Sequence, residues 1–282
     1  MIKVGFIDYY LDEWHANTAP AHLEEHSNGE VKVCYAYGEI PSPKGVTSEA
    51  WCEKMGVEYC ATIAEVIEKS DVLVVLAPDN CERKEDLCRE ALASGKPCFV
   101  DKPFGTDLAS AKRMFAIAEA SGTPVYTCSS LRYAQEYTTV DREAVKSLVA
   151  MCPQNSYDNY ILHALEPAMM IMGEAATRAM AVAHSDAFYS VTIEMESGRY
   201  IVISSLNYDS PYMMNICIPT SNQLIDCSYD FWIYHYKTMI EFFKTGVEPI
   251  THKETLQIAA AREAGKKSIT LGGEWVKVDN NY

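Results

Sequence analysis

The chain has no Cys-x-x-Cys pair and no cysteine/histidine spacing of the zinc-finger kind, although it holds 10 cysteines. That absence excludes a paired-thiol redox motif and a structural zinc knot. Cys34, Cys98, Cys128 and Cys217 lie inside apolar, strand-like runs, as reduced core thiols do in a reducing compartment. Positive charge is scarce too: 24 Lys and Arg stand against 39 Asp and Glu, a net charge of −15. Such a surface repels polyanions, so neither nucleic acid nor membrane is expected as a partner. No apolar run reaches membrane-spanning length, and the opening run from Met1 meets Asp8 too soon for a secretion signal. A cytoplasmic protein is expected. The chain shows no internal repeat and no low-complexity segment.

What is present is a rhythm. Lys3–Ile7, Val31–Ala36, Asp71–Pro78, Cys98–Val100 and Val125–Cys128 read as buried strands. Between them lie helical stretches, the clearest being Asp107–Ser121 with Leu108, Ala111, Met114, Phe115 and Ala118 on one face. Strands alternating with helices predict an α/β fold with a Rossmann-like, doubly wound parallel sheet over residues 1–128. From 129 to 282 the rhythm changes. A methionine-rich helix over Tyr160–Met172 precedes alternating runs at Arg178–Ala183, Ala187–Met195, Tyr200–Leu206 and Met213–Ile218. Two helices follow, Tyr229–Thr245 and from His252 to about Ser268, and a last strand near Trp275. This predicts a second, α+β domain with an open, mostly antiparallel sheet. Its outward face is expected to be covered by a second copy, giving a homodimer or homotetramer.

Lys102 is the residue around which chemistry is expected. The strand Cys98–Val100 stops in Asp101-Lys102-Pro103, which places an ammonium group at the carboxyl end of a strand, where open α/β sheets take their ligands. The same segment also reads as a surface lysine in a strand-to-helix turn, with Asp101 as a plain ion-pair partner.

Several segments in order resemble the Gfo/Idh/MocA family, typified by glucose–fructose oxidoreductase and inositol dehydrogenase. Asp71–Pro78 resembles its strand ending in a Thr-Pro-type turn, and Asp101-Lys102-Pro103 its Glu-Lys-Pro signature with Asp for Glu. Leu131-Arg132-Tyr133 resembles the Asn-Arg-Arg-Phe-type segment that opens the second domain. Asn159 to Glu166 resembles the Asp-x-Gly-x-His-x-x-Asp helix, and the tail from Ile240 to Val276 follows the family's close. The resemblance implies hydride transfer between NAD or NADP and a sugar, polyol or related carbohydrate. It implies Lys102 and His163 in proton transfer, with Asn159 where the family carries an acid. Asp8, Tyr9, Tyr10, Pro78, Asn80, Asp101 and Lys102 are then expected to line the cofactor. Arg132, Tyr133, Tyr160 and His163 are expected at the substrate, with Lys102 and His163 facing one cleft.

One further absence opposes this. The turn after the first strand, Asp8-Tyr9-Tyr10-Leu11-Asp12-Glu13, has no glycine. A pyrophosphate needs glycines there so that backbone can approach it. Three carboxylates are expected to repel phosphate instead, by on the order of 1 kcal/mol each near a surface. Two other readings therefore stand beside the oxidoreductase: a nicotinamide-independent lyase or isomerase of a sugar or keto-sugar, and a catalytically silent binding subunit. Asp8, Asp12 and His15 offer metal donors but read rather as a solvated helix start, and no metal site is expected. The aromatic group Tyr229, Phe231, Trp232, Tyr234, His235 and Tyr236 reads as packing or as a carbohydrate-stacking wall.

Overall fold

The computed structural model describes residues 1–153, 155–186, 188–227 and 230–282. Ala187 and Tyr229, expected at the start of a strand and of a helix, lie outside the described residues. By their contacts the residues form two compact units, Met1–Thr127 with Ile233–His252, and Cys128–Trp232 with Lys253–Tyr282.

The first unit runs β1 (Ile2–Asp8), α1 (Trp14–His26), β2 (Val31–Gly38), α2 (Ser48–Met55), β3 (Glu58–Tyr59), α3 (Ile63–Lys69), β4 (Val72–Val75), α4 (Cys81–Leu92), β5 (Cys98–Val100), α5 (Leu108–Ser121) and β6 (Val125–Tyr126). The six strands make one parallel sheet in the order β3-β2-β1-β4-β5-β6. Its centre is fully apolar: Val4, Phe6, Ile7, Leu73 and Val75 are shut off from solvent, as strands covered on both faces require. Helix ends follow local chemistry. Thr47, Thr62 and Asp107 cap α2, α3 and α5 with their side-chain oxygens, and Gly56 and Gly122 close α2 and α5 in the left-handed conformation. The chain reverses strand order between β1 and β4, so the carboxyl ends of those strands form the switch point where such sheets take ligands.

The second unit contains β7 (Ser147–Pro153), α6 (Tyr157–Tyr160), α7 (Leu162–Met172), β8 (Ala176–Ala183), β9 (Tyr189–Met195), β10 (Tyr200–Leu206), β11 (Met213–Ile218) and β12 (Ser221–Asp226). After them come α8 (Phe231–Thr245), α9 (His252–Thr270) and β13 (Val276–Lys277). The sheet order is β12-β11-β7-β10-β9-β8-β13. The four expected antiparallel strands are present, but the sheet is mixed, because β7 pairs parallel to β10. Register sorts the faces. Val191, Ile203, Ala150, Met214 and Ile225 line up across five strands as a buried row. One residue earlier in β7, β10 and β12 and one later in β11, Val149, Val202, Leu224 and Asn215 line up on the opposite, outward face.

A single border after residue 128 leaves α8 in the second unit; its packing assigns residues 233–252 to the first. The reason is aromatic: Phe242 meets Tyr126 edge-on at 4.8 Å, His235 meets Phe99 edge-on at 5.5 Å, and Lys244 pairs with Glu30. The expected helix over 160–172 is also divided, with Ile161 between α6 and α7. Among the described residues no helix is long and apolar enough to cross a membrane.

Gly5 marks how closely β1 and α3 approach. A Cβ on it would collide with Ser70 Oγ and Val66 Cγ1. Gly5→Ala is expected to cost about 1–3 kcal/mol, read as a lowered urea midpoint; an unchanged midpoint would remove this contact from the account.

Candidate active site

In the first unit, carboxyl, imidazole and ammonium groups gather at the carboxyl ends of β1, β4 and β5. Asp8 ends β1 and is buried. Its Oδ1 accepts from the backbone N–H of Tyr9 at 2.7 Å and of Ala77 at 2.8 Å, tying the ends of β1 and β4 across the switch point. Ala77 holds φ at +52° there, a conformation that costs a residue with a Cβ roughly 1–2 kcal/mol. Such strain gathers at functional sites.

Glu13 caps α1. Its carboxyl accepts from the N–H of His15 at 2.7 Å and from that of Ala16. Burial pushes this carboxyl up to about 9, with Asp8 adding to the effect. Burial likewise pushes Asp8 up to about 7, against the pull of its two backbone donors. At neutral pH Glu13 therefore keeps its proton and Asp8 is divided. Asp12 faces elsewhere: it accepts from Asn17 Nδ2 at 3.0 Å and Val46 N at 3.1 Å, contacts that hold its carboxyl below the usual range. The expected wall of three repelling carboxylates is thus corrected. Two of the acids are raised toward neutrality and the third turns away. Of the turn's large side chains, Leu11 is the buried one, while Tyr9 and Tyr10 are half-buried.

Asp101 and Lys102, at the end of β5, are buried, and the Lys102–Pro103 bond is cis. Beneath them lies Lys84 of α4, wholly buried, whose Nζ donates to the carbonyl of Asp101 at 2.7 Å and of Lys102 at 3.2 Å. Burial alone raises an acid such as Asp101, but His15, Lys102 and Lys84 together hold it below the usual range. His15 Nδ1 lies 3.8 Å from Asp101 Oδ1; burial lowers its proton affinity. His235 of α8 is driven down to about 3 by burial. Of the other expected cofactor contacts, Pro78 is buried and Asn80 half-buried, the latter donating to Glu82 Oε1 at 3.0 Å.

The second unit has its own cluster. His163 Nδ1 lies 2.8 Å from Ser129 Oγ, and the imidazole is flanked edge-on by Tyr160 at 5.2 Å and Tyr212 at 5.6 Å. Ser129 N–H donates to Glu166 at 2.6 Å. Glu166, raised to about 7 by burial against the pull of Arg132, pairs with that guanidinium at 2.9 Å; Glu254 takes Arg132's other end at 2.6 Å. Arg132 was expected at the substrate. It is buried and clasped by two carboxylates, so its part is to fix Ser129 and, through it, His163. Asn159 lies in α6 and His163 in α7, so the pair does not share one helix. The neighbouring Asp158 pairs with Lys266. Tyr133 is half-buried, and burial raises its hydroxyl.

Comparison with known proteins bears on the fold. Residues 17–128 match the GFO_IDH_MocA model, described as an oxidoreductase family with an NAD-binding Rossmann fold. That stretch is therefore similar to the NAD-binding domain of the Gfo/Idh/MocA oxidoreductases. The match starts after the glycine-free turn, so the departure lies outside the matched stretch. An uncharacterized oxidoreductase of Escherichia coli, YhhX, is 29% identical over 91 residues, which is 32% of this chain and 26% of that protein. A probable dehydrogenase from Thermotoga maritima superposes with a TM-score of 0.81 at 16% identity, covering 98% of each chain. A scyllo-inositol dehydrogenase from Lactobacillus casei, solved with NAD(H) and scyllo-inositol, superposes at 0.78 with 13% identity, again covering 98% of each chain. At these identities the superpositions speak for the fold.

The residues fit a dinucleotide at its two ends. Glu39 directly follows β2, where an acid recognises ribose hydroxyls, and is held by Arg83 at 2.7 and 3.1 Å. Lys102 follows the end of β5, on the ligand side of the sheet. At the pyrophosphate the fit differs from a glycine loop, because Glu13 already takes up the α1 N-terminus, as a protonated acid that can also donate. Sequence reasoning missed Glu39, Lys84 and Glu13's capping. For Glu39 the signal was present, an acid just past the second strand run.

These raised acids set a pH dependence. At low pH both folded and unfolded chains hold the protons, and the stabilisation is complete. As pH rises through about 7 for Asp8 and about 9 for Glu13 it is lost, by at most about 1.4 kcal/mol per pH unit per group. The urea midpoint of Glu13→Gln is expected to fall less than that of the unaltered protein between pH 5 and 9; parallel curves would refute the assignment.

Proposed function

We propose that the protein transfers a hydride between NAD or NADP and a hydroxyl-bearing carbon of a sugar, polyol or related carbohydrate. The observation that carries this is Lys102, a buried amine at the end of β5 whose backbone carbonyl is fixed by Lys84. The dinucleotide, when bound, supplies the hydride acceptor. Oxidation of an alcohol leaves a hydroxyl proton, and Lys102 is the group placed to hydrogen-bond that oxygen and take the proton. His163, oriented by Ser129, is the second proton-transfer group, with Tyr160 beside it at the substrate. Asp8, Tyr9, Tyr10, Pro78, Asn80 and Asp101 serve the cofactor, and Glu39 its ribose.

The capped N-terminus of α1 favours a second reading, a nicotinamide-independent lyase or isomerase using the same residues. Calorimetric titration separates the two. Saturable micromolar binding of NAD(H) or NADP(H) supports the oxidoreductase, and no binding at millimolar cofactor would falsify it. Lys102→Ala and His163→Ala are each expected to keep cofactor affinity and to lose about 10²–10⁴-fold in turnover on whichever polyol the protein oxidises, scyllo- and myo-inositol being the first to try.

We also infer a homodimer or homotetramer through the outward face of the second unit's sheet. Val149, Tyr200, Leu206 and Leu224 are large apolar residues exposed on its strands. Light scattering at micromolar concentration is expected to give at least twice the chain mass, and Leu224→Glu to reduce it; a monomer in both cases would remove the proposal.

A further inference from the structure

Helix α1 carries a second polar cluster at its far end, which the oxidoreductase reading does not use. His22, Glu25 and His26 follow one another at helical spacing, so they share a face. One donor atom from each lies within 4.8 Å of the other two. His22 Nδ1 and His26 Nε2 are both closed off from solvent, and neither has a hydrogen-bond partner. A buried polar atom left unbonded costs about 1–3 kcal/mol, and each of these two calls for a partner.

Their placement is fixed before any ligand arrives. The two imidazoles stack with centroids 5.6 Å apart and planes 22° apart. His22 also stacks on Tyr236 of α8 at 4.7 Å and 13°. Glu25 is exposed and free to swing its carboxylate onto an ion held by the two rings.

We propose that His22, Glu25 and His26 bind one divalent cation of the Zn²⁺, Co²⁺ and Ni²⁺ class. Two imidazoles and a carboxylate suit these borderline ions, whereas Mg²⁺ and Ca²⁺ demand oxygen donors. Metal–nitrogen bonds are about 2.0–2.1 Å, so small rotamer changes bring the three donors onto one ion. Three protein ligands leave a position for water. Because His22 stacks on Tyr236, the ion sits beside the contact of α1 with α8 within the first unit.

The test uses the full chain after chelator treatment. Calorimetric titration with NiCl₂ is expected to show one equivalent bound at micromolar affinity. His26→Ala is expected to weaken it by at least about tenfold, and added Ni²⁺ to raise the melting temperature of the unaltered protein only. The half-buried thiols of Cys34, Cys81 and Cys217 are a rival destination. Histidine labelling by diethyl pyrocarbonate, mapped by mass spectrometry on the unaltered protein, separates them, since Ni²⁺ at the proposed site protects His22 and His26. Absence of stoichiometric uptake at submillimolar Ni²⁺, or uptake without protection of these two histidines, would overturn the proposal.

Discussion

The first unit depends on one hidden cation. Lys84 projects from α4 into a place without water and donates to two successive carbonyls, those of Asp101 and Lys102. Burial lowers the proton affinity of this amine while Asp101 raises it, and the two carbonyl contacts hold only while the loop stays where it is. The signature segment is therefore fixed from below by its backbone. A second lysine, Lys84, thus supplies the order of the segment that carries Lys102.

The switch point is solved in an unusual way for this fold. Where a glycine loop lets a phosphate approach bare backbone, this chain supplies its own acids, Asp8 to the ends of β1 and β4 and Glu13 to the start of α1. Burial then works on those acids, lifting both toward neutrality. The formal count of charges in the sequence and the charge actually present at the site are thus different quantities. The second unit orders its histidine by the same logic. Arg132 holds Glu166, Glu166 holds the Ser129 backbone, and the Ser129 hydroxyl meets His163.

Much of this was legible in the residues. The run through Val72–Val75 announces a central strand, the spacing of Leu108 to Ala118 announces α5, and the Asp101-Lys102-Pro103 stop points at the ligand side of the sheet. What could not be read is whatever depends on distant partners. Lys84 stands in a charged stretch, Cys81-Glu82-Arg83-Lys84-Glu85-Asp86, and looks like one more solvated lysine; only the fold buries it. Glu13 looks like an exposed acid until α1 starts beside it. The parallel pairing of β7 with β10 leaves no trace in alternation, because a strand has the same period whichever way its neighbour runs. Strand β12 is too polar to stand out from a loop. The aromatic face of α8 signals burial clearly but not which unit it completes.

That last point bears on how the molecule is made. The first unit is assembled from two stretches of chain separated by more than a hundred residues, and the last helix to join it is made long after the first stretch. Until α8 has left the ribosome, Phe99 and Tyr126 have each other but lack the rings of His235 and Phe242 that they meet in the finished protein. The nascent sheet must therefore wait with an uncovered flank while the entire intervening sheet is synthesised. A fragment ending at the first unit's own last strand is for the same reason an unfinished molecule.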